Sequence, residues 1–265
     1  MWLEALRAVF IALGLAYLGL IVFALLLGER AVFPAPPRSY GPTEAIVMVP
    51  DPTTGQQIAT CYLANTHAER AILYHYGNAE DLGTIQPRLE VLQAMGFAVF
   101  AYDYPGYGLS AGRPSERAVT AAARAAQAFL QREHGFAPEQ VIHYGRSLGG
   151  GPATVLARDG AAGLILEGTF TSAFRVVTHV RLLPWDIFDT LGRIQAVGCP
   201  ILILHGVEDA TVPVSHGRRL AARATAEVQL VEIPGAGHND VWEVGGEQVI
   251  QALSAFLPAL APPTN

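Results

Sequence analysis

The sequence predicts one α/β domain built on a mostly parallel, eight-stranded sheet with helices on both faces, preceded by an apolar helix. Three observations carry this. From Ala45 onward, short apolar runs alternate with helical patterns, as strands and crossover helices do in a parallel sheet. Several runs end in glycine-rich turns, placed where such sheets present their ligand-binding loops. Before all of this, Val9–Gly28 holds twenty residues without a charge, about 30 Å of helix and enough to cross a bilayer core.

In chain order, residues 1–30 form the apolar helix. A secretory signal competes with a membrane anchor here, but its apolar core is shorter and ends in an A-x-A-like site. "LLLGERAVFPAPP" offers no such site, so a single-pass membrane anchor is expected. Its orientation stays open, because Arg7 and the amino terminus oppose Arg30 and Arg38. Residues 31–44, with Pro34, Pro36 and Pro37, read as a stiff, non-helical linker. The α/β domain is expected over 45–260.

Ala45–Pro50 and Gln57–Leu63 open the domain as a hairpin, and Ala71–Tyr76 is the third strand. A helix is expected near Pro87–Met95, then a strand over Phe97–Tyr104. Ser115–Gly135 is a long helix with a serine to cap it and a glycine to stop it. Gln140–Tyr144 is a strand followed by a helix to about Arg158; Ala162–Gly168, Pro200–Gly206 and Glu227–Gly235 complete the sheet. Further helices fall near Ser215–Ala224 and Gly246–Leu257. Residues 169–197 break the alternation and carry Phe170, Phe174, Trp185 and Phe188. This reads as a short cap, and its brevity implies an open site.

Composition narrows the chemistry. A net charge of −6 without a basic tract argues against nucleic acid as a partner. All 17 basic residues are arginine, so lysine Schiff-base chemistry is excluded. Heavy Ala, Gly and Pro usage beside this points to GC-rich codons and a bacterial source. Cys61 and Cys199 alone make neither a disulfide framework nor a four-cysteine zinc site, and both read as small core residues. No metal-binding or P-loop pattern occurs, and no cofactor is implied.

Gly145-Arg146-Ser147-Leu148-Gly149 fits G-x-S-x-G. With seven serines and 27 glycines in 265 residues, a chance match has a probability of about 0.07, so context must decide. The pentapeptide lies between a predicted strand and a predicted helix, as a nucleophile elbow requires. A serine hydroxyl also needs a base, and the base an orienting acid, supplied in such folds in the order Ser, acid, His. Asp209 in "HGVEDATVP" and His238 in "PGAGHND" follow in that order, each in a loop beyond a strand. Glu167, at the end of its own strand, is the alternative acid. Glu208 reads as solvated, Asp240 as too close to His238 to reach the far ring nitrogen, and His75, His143 and His205 as packing residues. For an oxyanion, the backbone N–H groups of Leu148 and of Asn78, in the loop after the third strand, are the candidate donors.

The segments "HYGNAEDLG", "DYPGYGLSAGRPSE", "GRSLGG", "LEGTFTS", "HGVEDATVP" and "GAGHND" resemble membrane-anchored serine hydrolases of the α/β-hydrolase superfamily. The set concerned includes bud-emergence (cell-polarity) proteins, palmitoyl-protein thioesterases and bacterial relatives. The resemblance covers nearly the whole chain after about residue 40. It implies Ser147 as nucleophile, Asp209 as acid, His238 as base, and oxyanion donors at Asn78 and Leu148. One departure is Tyr76, where relatives usually carry histidine before Gly-Asn-Ala; it bears on the loop's hydrogen bonds and the acyl pocket. The expectation is an ester or thioester hydrolase acting on a small or lipid-like acyl substrate at a membrane. An amidase or peptidase or an acyltransferase with the same triad, or a non-catalytic membrane-bound binding protein on the same scaffold, are the alternatives, and oligomeric state is not legible.

Overall fold

In the computed structural model, which describes residues 2–259, eight strands form one sheet in the order β1-β2-β4-β3-β5-β6-β7-β8. They are β1 (Ile46–Pro50), β2 (Gln57–Leu63), β3 (Ala71–His75), β4 (Ala98–Tyr102), β5 (Val141–Arg146), β6 (Gly163–Glu167), β7 (Ile201–Gly206) and β8 (Val228–Ile233). β2 runs antiparallel to β1 and β4, and every other pairing is parallel. The central strands β3 to β7 are buried along their whole length. That is why they read in sequence as continuous apolar runs rather than as an alternation.

The helices are α1 (Trp2–Val32), α2 (Leu82–Ala94), α3 (Glu116–His134), α4 (Gly150–Arg158), α5 (Ala173–Thr178), α6 (Thr190–Ile194), α7 (Ser215–Arg223) and α8 (Val241–Ala259). α3, α4, α6 and α7 touch in series in one layer. α2 and α8 are joined elsewhere by Arg88, which lies 5.6 Å over the Trp242 ring. α3 begins and ends as its sequence dictates: Ser115 accepts from the Ala118 N–H, and Gly135 closes it at φ 80°.

Two helix starts differ from expectation. α2 begins at Leu82, five residues before Pro87, because Asp81 and Thr84 form a reciprocal cap at its amino end. α8 begins at Val241, and Gly246 is a non-helical kink within it (φ 11°, ψ −90°). The expected start at Gly246 therefore marks the second half. β4 is shorter at both ends than the predicted Phe97–Tyr104. The expected domain end at residue 260 lies outside the described residues.

α1 runs two residues past the expected limit of 30, to Val32. It bears one window hydrophobic enough to cross a membrane, with a mean hydropathy of 2.7, and Leu13, Leu15 and Leu26 stand 61–70% exposed. The linker after it is not a free spacer. Phe33 is buried edge-on to Phe188, the Ser39 N–H donates to Asp81 at 2.7 Å, and the Tyr40 hydroxyl donates to Asp103. The linker is therefore tied to the α/β body.

Candidate active site

β5 ends on Arg146, and the chain turns at once into a single 3-10 turn, Ser147–Gly149, that leads into α4. Ser147 takes φ +49°, a conformation most side chains avoid, held only because the surroundings fix it. The crowding explains the flanking glycines. A Cβ on Gly149 would overlap the His75 carbonyl, and one on Gly145 would lie 2.6 Å from the Gly149 oxygen. Thr169, just after β6, donates its hydroxyl to the Ser147 carbonyl. The turn raises the serine at the carboxyl edge of the sheet, with the start of α4 behind it and its dipole favouring negative charge there.

His238, in the loop after β8, places Nε2 3.0 Å from Ser147 Oγ. Its Nδ1 lies 2.7 Å from Asp209 Oδ2. Asp209, after β7, is fixed on its other oxygen by the backbone N–H groups of Thr211 (2.9 Å) and Val212 (2.6 Å). With Asp209 accepting, Nδ1 carries the proton and Nε2 is left as an acceptor for the serine hydroxyl, the arrangement a general base requires. His205 stands close behind, 3.6 Å from the same Asp209 oxygen. Burial pushes its pKa down, so it is neutral and its Nε2–H donates to the Val212 carbonyl at 2.7 Å.

Of the alternatives, Glu167 is brought not to His238 but under the site, where it meets three hydrogen-bond donors and one further guanidinium. Oε1 faces Arg88 at 2.9 Å and Arg146 at 3.4 Å. Oε2 accepts from Tyr144 at 2.6 Å and Trp242 at 3.0 Å. Burial pushes this carboxyl up, but the two guanidinium groups and the two hydrogen bonds outweigh it, and its pKa lies below the ordinary value. Glu208 is exposed. Asp240 accepts from the Gly237 N–H at 2.6 Å and heads α8.

Arg146 is the residue whose part the sequence did not disclose. Buried beneath the serine, it pairs with Glu80 at 2.9 Å, donates to Asn239 Oδ1 at 2.7 Å and reaches the His238 carbonyl at 3.3 Å. Glu80 in turn accepts from the Gly77 N–H at 2.6 Å. One guanidinium thus braces the histidine loop and the loop bearing Asn78 against the nucleophile strand. The only sequence signal was its place in the pentapeptide.

Asn78, Leu148, Ser147 and His238 all line one cavity of about 540 Å³, within the usual range for small-molecule sites. Tyr76, the departure noted above, does not reach it. Its ring is buried, its hydroxyl donates to Asp103 at 3.1 Å and accepts from the Tyr104 N–H at 2.7 Å. The site is less open than a short cap implied. Its far wall is α1, from Leu20 to Val32, facing cap residues such as Phe174, Val177 and Leu182.

Comparisons with known proteins bear on the fold and the family. The family model described as "Hydrolase_4: Serine aminopeptidase, S33" matches residues 66–185. Human "Alpha/beta hydrolase domain-containing protein 17B" is 35% identical over 208 residues, 77% of this chain and 72% of its own length. "Alpha/beta hydrolase domain-containing protein aho-3" of Caenorhabditis elegans is 38% identical over 186 residues, 68% of this chain, which spans about half (54%) of that relative's length. Among solved structures, the Pyrococcus furiosus esterase Pf2001 superposes with a TM-score of 0.71 at 15% identity, covering 85% of this chain and 99% of that one. Est1E from Butyrivibrio proteoclasticus, solved with ferulic acid bound, superposes at 0.68 and 17% identity, over 81% of this chain and 98% of its own. The elbow at the end of β5, the strand order and the 35% identity over 72% of the human relative's length point the same way: the chain belongs to the α/β-hydrolase superfamily, in the group of the α/β-hydrolase domain-containing 17-like proteins.

Proposed function

We propose that this chain is a membrane-anchored serine hydrolase that cleaves an ester or thioester of a lipophilic acyl group. The observation that carries the reading is the chain of short contacts from Ser147 through His238 to Asp209 at the edge of an apolar cavity. Ser147 Oγ attacks the acyl carbonyl and passes its proton to His238 Nε2. The oxygen of the tetrahedral adduct takes hydrogen bonds from the Leu148 and Asn78 N–H groups. The adduct collapses, the alkoxide or thiolate leaves with the proton held on His238, and the acyl group stays on Ser147. Water then attacks, loses its proton to His238, and releases the carboxylic acid while Ser147 recovers its hydroxyl. Asp209 holds the imidazole in one tautomer and stabilises its charge.

The description of the family model names aminopeptidases, whose substrate amine needs a carboxylate in the pocket. The one lining carboxylate besides the triad, Asp186, is already held by Ser172 Oγ (2.6 Å) and the N–H groups of Phe174 and Ile187 (both 2.9 Å). An apolar acyl group is therefore favoured. The uncharged stretch of α1 supports the membrane assignment, and the arginine-only composition a bacterial source.

The test is fluorophosphonate labelling of detergent-solubilised full-length protein beside Ser147→Ala, with the adduct mapped by mass spectrometry. Labelling at Ser147 that disappears in the variant is the expected result. Absence of labelling in folded wild type overturns the catalytic reading. Recovery of the wild-type chain in the soluble fraction of lysed cells overturns the anchor.

A further inference from the structure

An anchor that only tethers has no need to touch the catalytic cavity, yet α1 builds one side of it. Leu20, Ala24, Gly28 and Val32 recur every fourth residue and all line the cavity, so one face of the helix is turned to the site. Val32 is at the reacting end, where its carbonyl accepts from Asn78 Nδ2 at 3.3 Å. At the other end the Tyr17 hydroxyl donates to the Leu182 carbonyl at 3.1 Å. Tyr17 and Val32 are about 22 Å apart along the helix at 1.5 Å per residue. Between these ties the seam is kept narrow by small residues. Ala24 is buried, and a Cβ on Gly28 would lie 3.0 Å from the Phe174 ring.

The depth of the seam is informative. Leu20 and Ala24 belong to the uncharged Val9–Gly28 stretch, so with α1 as the membrane anchor proposed above, the end remote from Ser147 lies at the depth of the bilayer. The cap residues beside it, Val177 and Val180, are 81% and 58% exposed, apolar side chains fitted to acyl chains rather than to water. The lateral mouth is thus lined mostly by apolar side chains, with Thr178 among them and the exposed His179 and Arg181 flanking Val180 in the chain, while the end at Ser147 and His238 is polar.

We propose that the acyl chain of the substrate lies in the seam between α1 and the cap, entering sideways from the bilayer, and that Ala24 and Gly28 set the chain length accepted. The occupant is the long alkyl chain of a membrane-resident acyl ester or thioester. The inference rests on Ser147 being the nucleophile, and it makes α1 a specificity element as well as an anchor.

The test uses the full chain in phosphatidylcholine nanodiscs, with p-nitrophenyl acetate and p-nitrophenyl palmitate as substrates. Ala24→Trp fills the seam and is expected to lower kcat/KM for palmitate at least tenfold while acetate changes less than twofold. Leu26→Trp places the same large side chain on the opposite side of α1, where Leu26 is 70% exposed, and is expected to leave both rates unchanged. Equal losses for both esters, no loss for either, or the same selectivity change from Leu26→Trp would overturn the proposal. A second readout needs no catalysis. A diazirine-bearing palmitate is photocrosslinked in wild type and in Ala24→Trp, and the adducts are mapped. Adducts at Leu20–Gly28 and Phe174–Leu182 that vanish in Ala24→Trp support the seam even if the esterase reading fails, and adducts spread evenly around α1 sink it.

Discussion

Glu167 is where a structural and a catalytic carboxylate can be told apart by experiment. Glu167→Gln keeps the shape of the side chain but removes the charge that balances Arg88 and Arg146, and sets an NH2 group where an acceptor is needed. Its oxygens serve Arg88, Arg146, Tyr144 and Trp242 at 2.6–3.4 Å, and the residue is 2% exposed. Removing one partner of a buried ion pair costs about 3–5 kcal/mol. The lower end applies, because Arg146 retains Glu80 at 2.9 Å and the Arg88 side chain is 17% exposed. For a domain of this size, about 2–4 °C of Tm goes with each kcal/mol, so a loss of about 3 kcal/mol lowers Tm by about 6–12 °C. The assay pairs thermal unfolding with kcat/KM per fluorophosphonate-titrated serine, measured well below the transition. The expected variant is markedly less stable, with activity per titrated site within tenfold of wild type. An unchanged Tm with activity lost by several orders of magnitude would instead make Glu167 the acid that serves His238, and the contacts described above would be misread.

Asp209→Asn is the opposite case. Its Oδ1 still accepts from Thr211 and Val212, but the amide no longer fixes His238 in the tautomer that leaves Nε2 free, so kcat is expected to fall by about 10⁴-fold with fold and Tm largely kept; a variant with more than a tenth of wild-type kcat would remove Asp209 from the triad. Stability should also decline in mild acid through the buried histidines. Burial pushes the pKa of His143 down to about 3 and that of His75 well below its ordinary value. Both are neutral in the folded protein, and the unfolded chain takes up their protons below about pH 6.5. The contribution of His143 is therefore complete above that pH and is lost as pH falls from about 6.5 toward 3, and that of His75 is lost in the same direction, at up to about 1.4 kcal/mol per pH unit for each. Urea unfolding between pH 7 and 5 should show a shallower slope in His143→Gln than in wild type, and identical slopes would show that His143 does not carry the effect.

What the sequence disclosed follows the physics of each element. β2 runs over the predicted residues, and the other strands fall within one or two residues of expectation at nearly every end, because strands buried on both faces are bounded runs of apolar residues. That Ser147, Asp209 and His238 would meet at one edge of the sheet was legible because a strained turn and two strand-end loops favour particular residues in a particular order. Helix starts were less legible. Pro87 suggests a first turn, while the actual start is written in the less obvious reciprocal pair Asp81 and Thr84. The part of Arg146 was not legible, and Glu167 was read only as an alternative acid, since the buried ion network that holds both joins β5, β6, α2 and α8 across long sequence distances.

The wall formed by α1 was hidden for a different reason. In a helix packed on a soluble core, the buried face announces itself by contrast with a polar one. Here one face meets an apolar cavity and the other is exposed yet also apolar, so hydropathy carries no contrast. What distinguishes the inner face is size. Ala24 and Gly28, four residues apart, stand where a closely packed partner requires small side chains, while Leu25, Leu26 and Leu27 beside them stand largely exposed. That difference in volume, rather than in polarity, marks the face of α1 that walls the cavity. It is also why a single tryptophan at position 24, but not at position 26, tests the role proposed for that face.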